Sequence, residues 1–210
     1  MYHVFNRTIA HAEAFTSKRE LHRVLELVNY YRFPQHKSYS RFKSIFNIDG
    51  KNHYLKNIWL HDPLVEIHAF TIMPNHFHFL LKQICDKGIS TFISNLQNGY
   101  AKYFNKKDDR NGSLFQKPFK AKRIASDELL LHISRYIHLN MVTSYMITYD
   151  KLEESEWTSY GSYTDKRKVH FINTDFILKV AGSKKIYEKF VKDQIDYQRK
   201  LGMIKKYILE

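Results

Sequence analysis

Residues 64–82, LVEIHAFTIMPNHFHFLLK, constrain the fold of this chain more than any other stretch. Leu64 to Met73 and His76 to Lys82 are rich in β-branched and aromatic residues, and only Pro74-Asn75 separates them. Two such runs with so short a link form a hairpin or one bent, continuing strand. Side chains alternate across a strand, so His76 and His78 project from one face, roughly 6–7 Å apart at their Cα atoms. Phe77 and Phe79 project from the other face, toward a core. Two imidazoles side by side on a rigid strand are a ready pair of ligands for a divalent metal. The chain also holds 12 histidines, enough for a His-x-His pair to arise by chance. The motif alone therefore leaves two readings open: metal ligands, or a solvated or core-satisfied pair.

The rest of the chain places this hairpin in a mixed fold. Tyr2 to Arg7 alternates and reads as a first strand. Thr16-Ser17 offers N-caps for a helix to about Tyr31, with Leu21, Leu25 and Val28 at helical spacing, and Phe33-Pro34 ends it. Residues 35–60 are basic, aromatic and poorly periodic, with room for one short strand. Gly88 precedes a helix from about Ile89 to Lys106, and Asn111-Gly112 marks a turn. Phe119 to Ala125 reads as a strand. Ser126 caps a helix from Asp127 to about Met141, with Asp127 and Glu128 at the positive end of its dipole. This order lacks a regular βαβ repeat and argues for an α+β domain: a mainly antiparallel sheet covered by helices. Residues 146–170 read as loop and surface turn anchored by Trp157, and Phe171 to Ile208 as a basic helical tail. The chain thus divides into a domain over 1–145 and a basic, mostly helical extension over 146–210.

Composition narrows the function. Lys+Arg number 34 against 21 Asp+Glu, a net charge of +13, which attracts polyanions, nucleic acid foremost. No long basic helix with a clean apolar face offers itself to a membrane surface. The single cysteine, Cys85, excludes an internal disulfide framework and four-cysteine zinc sites, and fits a reducing compartment. No apolar run approaches the ~18–20 residues that cross a bilayer, and the N-terminus lacks a signal-peptide core. The expectation is a cytoplasmic protein.

The helix after Ser126 carries His132, Tyr136 and Asn140, spaced by four and so stacked along one face. Leu130, Ile133 and Ile137 form the neighbouring apolar stripe that docks the helix on the sheet. Tyr136 has two readings: a partly buried aromatic with a surface hydroxyl, or a nucleophile. A free tyrosine, with a pKa of about 10, is a weak nucleophile near neutral pH. A metal on a phosphodiester withdraws charge and orients an in-line attack, which relieves that weakness. A histidine pair with a third oxygen ligand, such as the Asn140 amide, would hold Mg²⁺ or Mn²⁺, and imidazole suits Mn²⁺ better.

The segments YHVFNRT, EIHAFTIMPNHFHFLLK, NGYAKYFNKK, GSLFQKPFKAKRI and LLLHISRYIHLN resemble, in order, the motifs of the HUH-class single-tyrosine transposases. They most resemble the REP-associated tyrosine transposase branch. The resemblance covers about Tyr2 to Tyr145, and Trp157-Thr158-Ser159-Tyr160 resembles the WSSY element that often follows. It implies a ferredoxin-like α+β nuclease core, with His76 and His78 as metal ligands on a central strand and Mg²⁺ or Mn²⁺ as cofactor. It implies Tyr136 as the nucleophile that forms a 5′-phosphotyrosine with single-stranded DNA and leaves a 3′-hydroxyl. Asn140 matches a position where relatives place a polar side chain able to complete the metal shell. The implied partner is single-stranded DNA with hairpin structure, and the implied state a monomer or homodimer. The alternative is a domesticated protein that binds DNA or RNA hairpins without cleaving; retention of both histidines and the tyrosine argues against it. One departure stands out. Relatives usually read YIHLNPV, and this chain has Met141 in place of the proline, so the helix is expected to run on by a turn.

Candidates for DNA contact follow. Asn6 and Arg7 match the first-strand motif, and Arg7 is taken as DNA-binding. Lys102 and Lys106 share a helix with Tyr100 and Tyr103, which read as core packing or as stacking surfaces. Lys117, Lys120, Lys122 and Arg123, interleaved with Phe115 and Phe119, form a basic strip.

Overall fold

A computed structural model describes residues 1–45 and 47–193. The part of the expected helical tail beyond 193 lies outside the described residues. Strand β1 is Tyr2–Arg7. Helix α1 is Lys18–Tyr31, and its start follows from a capping box: Ser17 Oγ accepts the Glu20 N–H, and the Glu20 carboxylate accepts the Ser17 N–H. Leu21, Val24, Leu27 and Val28 bury one face of α1.

Residues 35–60 depart from the expectation of a short strand. They form two helices, α2 (Tyr39–Ile45) and α3 (Ile48–Trp59). The periodicity is weak because burial here is shallow. Tyr39 and Phe42 pack on Tyr30 of α1, whereas Ile58 is the one buried residue of α3. Asn47 caps α3 by accepting the Gly50 N–H at 2.8 Å.

Strands β2 (Val65–Met73) and β3 (His76–Gln83) form the expected hairpin, with Met73 opposite His76. Helix α4 (Gly88–Lys107), strand β4 (Lys120–Arg123) and helix α5 (Asp127–Thr143) complete the core. The sheet order is β2-β3-β1-β4 and all neighbours are antiparallel. The order β-α-β-β-α-β with this topology is ferredoxin-like, and α2 and α3 are additional to it.

The alternation of β3 sorts the layers. Phe77, Phe79 and Leu81 join Val4 and the buried faces of α1 and α4 in one core. Leu80 and Ala69 point the other way and pack with Leu130, Ile137, Leu139 and Val142 of α5 in a second core. The sheet therefore separates α1 and α4 from α5.

Residues 146–170 are not the surface turn the sequence suggests. Leu152, Tyr160 and Tyr163 are fully buried in the core around α5. Thr158 bridges Thr71, the Ile72 N–H donates to the Trp157 carbonyl, and the Ser159 N–H donates to the Phe70 carbonyl. The segment thus covers the outer edge of β2, which would otherwise expose unpaired backbone groups. Helices α6 (Tyr160–Tyr163), α7 (Asp175–Ala181) and α8 (Lys184–Lys192) follow. Ile177, Tyr187 and Val191 bury against α5. The buried tyrosines keep their hydroxyls paired: Tyr163 donates to the His68 carbonyl, and Tyr187 contacts Ser134 and His138, each at 2.9 Å.

Candidate active site

Register assembles the site. β1 pairs with β3 so that Phe5 faces His78 and Arg7 faces His76. With period-two alternation, His3, Phe5, Arg7, His76 and His78 share the α5 face of the sheet. The His76 and His78 rings lie 5.2 Å apart between centroids. α5 delivers Tyr136 to the same place, its ring edge-on to His78 at 5.5 Å and to His3 at 5.9 Å. Tyr136 is 36% exposed, so its ring is held while one side stays open to solvent. The Thr71 hydroxyl, from β2 opposite His78, donates to the Ile137 carbonyl and ties α5 to the sheet one residue past the tyrosine. Asn140 Nδ2 donates to the Tyr136 carbonyl at 2.9 Å, which leaves the Oδ1 atom unengaged by protein donors among the described residues. The helix continues to Thr143, one turn beyond Asn140, as the absence of a proline at Met141 predicts.

Burial keeps the imidazoles neutral. It lowers His76 to about 4, with the charge of Arg7 and then His11 adding to the effect. It lowers His3 to about 4, helped by Lys122. It holds His78 well below the usual histidine value, with His3, His76 and Arg7 contributing. Neutral imidazoles are the form that ligates metals. Burial raises the Tyr136 phenol, and the Asn140 side chain and the Arg7 charge pull it back toward ionisation.

The hydrogen bonds of the two histidines suit a metal. His76 Nδ1 lies 2.6 Å from Asn75 Oδ1, and His78 Nδ1 lies 2.9 Å from His3 Nε2. With both partners as acceptors, each histidine carries its proton on Nδ1 and presents the Nε2 lone pair, the usual arrangement of metal-bound histidine. Among the described residues no group of three His, Cys, Asp or Glu side chains converges on a metal position. An ion here would rest on His76, His78 and oxygen ligands, for which the Asn140 amide is the side chain at hand.

Other residues marked in the sequence divide between the two faces. Lys120 and Lys122 pair with Phe5 and His3 and so lie on the Tyr136 face, with Lys120 Nζ 6.0 Å from the Phe5 ring centroid. Arg123 alternates to the opposite face, opposite Tyr2. Lys117 is exposed in the segment before β4. Lys102 and Lys106 ride on α4, across the sheet from Tyr136. His132 does not join the site although it shares the four-residue row. Its Nδ1 pairs with Arg135 at 2.8 Å and its ring packs edge-on to Phe190. Asn6 is structural: its Nδ2 donates to the Gln116 carbonyl at 2.8 Å. Tyr100 is core, fully buried with its hydroxyl on the Ala14 carbonyl.

Two residues of the site are not singled out by the sequence motifs. His3 is one; its alternation with Phe5 and Arg7 was the available signal. Thr71 is the other, and nothing short of the hairpin register reveals it.

The family model for IS200-like transposases matches residues 40–140, a span that contains His76, His78 and Tyr136 and ends at Asn140. A solved structure of a REP-associated tyrosine transposase bound to a REP hairpin superposes with a TM-score of 0.51 at 10% identity, over 82% of this chain and 90% of that one. At that identity the likeness is one of fold. No curated protein sequence matches the chain. Among the described residues no helix is long and apolar enough to cross a membrane. The matched region spans just under half of the chain, so the chain is similar in that region to IS200-like transposases and in fold to a REP-associated tyrosine transposase.

Proposed function

We propose that the protein cleaves and rejoins single-stranded DNA beside hairpins, with Tyr136 as the nucleophile. The observation that carries this reading is the edge-on packing of the Tyr136 ring against His78, 5.5 Å between centroids, within the His76–His78 pair. In the first step the Tyr136 oxygen bonds to the phosphorus and the bond from phosphorus to the 3′ oxygen breaks. The phenol proton is released and the departing 3′ oxygen gains one, so the products are a 5′-phosphotyrosine and a 3′-hydroxyl. Rejoining is the reverse attack by a 3′-hydroxyl, with no external energy source. His76, His78 and Asn140 would hold a divalent ion, Mg²⁺ or Mn²⁺, which supplies charge withdrawal at the phosphate. Arg7, Lys120 and Lys122 lie on the Tyr136 face of the sheet, and their positive charge would draw the DNA backbone in. Packing on the sheet and the Thr71 bond hold the tyrosine in place, so little orientation remains to be found on binding.

The hairpin substrate is supported by the hairpin-bound transposase of the same fold. The test uses end-labelled single-stranded DNA from the flanks of the gene with Mn²⁺. Wild-type protein should yield a denaturant-resistant protein–DNA adduct, and Tyr136→Phe should abolish it while leaving DNA binding largely intact. An adduct that survives in Tyr136→Phe would overturn the assignment.

A further inference from the structure

At the end of the β2–β3 hairpin away from His76, a cavity of about 490 Å³ opens between the two strands and α7. It is lined by His68, a residue with no part in the Tyr136 site. Strand β2 slips against β3 here: Ile67 pairs with Leu81 and Ala69 with Leu80, so His68 is the extra residue of a bulge. Bulges re-aim side chains. This one is held by a bridge from Ile67 to Ile172 and by the Asn173 N–H, which donates to the Ile67 carbonyl at 2.9 Å. His68 Nδ1 lies 2.9 Å from the Asn173 carbonyl, which can only accept, so the ring proton sits on Nδ1. Nε2 is left with a bare lone pair. It has no hydrogen-bond partner among the described residues, and the side chain that carries it is only 1% exposed. Burial lowers the His68 pKa and outweighs the Asn173 carbonyl and the Glu66 charge that raise it, so Nε2 stays unprotonated. A Glu66 carboxylate oxygen lies 3.6 Å from Nε2, too far for a hydrogen bond. Two acceptors thus stand side by side in the lining with no donor between them, a costly arrangement for a buried group.

We propose that this cavity binds a free guanine mononucleotide. Guanine carries two adjacent donors on one edge, N1–H and the 2-amino group, which match the adjacent acceptors Glu66 Oε2 and His68 Nε2. Adenine and cytosine set one donor beside an acceptor, and uracil and thymine set one donor between two carbonyls, so each leaves an acceptor facing an acceptor. A metal ion fits poorly. The Lys82 ammonium already lies 3.5 Å from the same Glu66 oxygen, and among the described residues no third His, Cys, Asp or Glu joins the pair. Phe176 of α7 supplies a face for the base: its ring is 42% exposed and lies 6.2 Å from the His68 ring between centroids. Lys179 follows Phe176 by about one turn of α7 and lines the same cavity, where its ammonium would take the 5′ phosphate. The lining side chains set Lys82 and Lys179 against Glu66 and Asp175 and are neutral overall. A groove that tracks a strand is positively charged, so this lining favours a single nucleotide over a base within DNA. The cavity is also remote from the tyrosine site: Lys82 stands six residues beyond His76 on β3, roughly 20 Å along the strand. The inference therefore goes beyond the cleavage reading and does not depend on it.

The test is isothermal titration of the full chain with GMP, guanosine, IMP and AMP. GMP should bind with a dissociation constant of roughly 1–100 µM, and about tenfold more tightly than guanosine. IMP keeps N1–H and lacks the 2-amino group, so it should bind about tenfold more weakly than GMP, and AMP at least about 100-fold more weakly. Glu66→Gln should weaken GMP about 10–100-fold and bring GMP and IMP within about threefold of each other. Lys179→Gln should bring GMP down to the affinity of guanosine and leave the GMP-to-IMP ratio in place. Phe176→Ala should weaken all four ligands at least about fivefold. A merely structural role for Glu66 would shift melting without touching base preference. No binding of GMP, equal binding of GMP and AMP, or a GMP preference that survives Glu66→Gln would each overturn the proposal. So would Glu66-dependent binding of a short single strand carrying one guanine with no binding of GMP. Circular dichroism melting confirms that the variants are folded. Tyr136→Phe, which tests the cleavage reading, should bind GMP as the wild type does.

Discussion

His3 Nε2 and His78 Nδ1 lie 2.9 Å apart, a hydrogen bond that reaches diagonally from β1 to β3 beneath Tyr136. It orients the His78 ring and decides which of its nitrogens is free. Partners of this kind are worth roughly 10–100-fold in metal affinity. His3→Phe keeps the volume and removes the acceptor. Its expected effect is a 10–100-fold weaker Mn²⁺ affinity by isothermal titration, with melting little changed. Unchanged affinity would mean that β3 alone positions His78.

The His3 contact is not legible in the sequence, although much around it is. The hairpin, the first strand and α5 were legible because each carries its own period and caps. The His76–His78 pair followed from alternation within one strand. The His3 contact depends on how β1 registers against β3, which no local pattern encodes. The helices at 39–59 are not legible because few of their residues are buried, so the hydrophobic period is faint. The burial of Tyr160, Tyr163 and Tyr187 is not legible for another reason. Tyrosine reads as surface or core equally well, and only the partners of its hydroxyl decide.

Thr71 is fully buried and spends its hydroxyl on the Ile137 carbonyl. Thr71→Val is nearly isosteric and removes that tie between β2 and α5. The expected cost is about 1 kcal/mol in urea unfolding. A larger effect is expected on the rate of adduct formation, because the tether sits one residue from Tyr136 and small misplacements of a reacting group are costly. Adduct formation at the wild-type rate would show that the apolar face of α5 holds the tyrosine unaided.

Glu20 gives the fold an acid-sensitive joint. Burial opposes its ionisation, but the Lys107 ammonium and the Thr16 and Ser17 donors outweigh burial and hold the carboxyl at about 2, below its ordinary 4.5. A depressed folded-state value means the contribution is complete above the unfolded value and fades as pH falls from about 4.5 toward 2. Its ceiling is roughly 3 kcal/mol. Glu20→Gln should therefore cost about 1–3 kcal/mol at pH 7, and the gap to wild type should close as pH approaches 2 in a urea series. A gap that persists at low pH would assign the loss to helix capping and packing, not to charge.

Tyr187 couples the C-terminal segment to the tyrosine helix. It is fully buried, and its hydroxyl donates to Ser134 Oγ and lies 2.9 Å from His138 Nδ1. His138 in turn meets Ser159 Oγ at 2.9 Å, and Ser159 accepts the Phe70 N–H of β2. One chain of hydrogen bonds thus runs from α8 through α5 to the sheet edge. Tyr187→Phe preserves the ring and leaves Ser134 and His138 each short of a partner in a dry core. The expected cost is about 1–3 kcal/mol. The site of the loss discriminates between two pictures of residues 146–193. If the segment is integral to the α5 core, amide exchange should quicken along 130–142 as well as in α8. Exchange that quickens only in α7 and α8 would mark the segment as an appendage whose loosening leaves Tyr136 undisturbed.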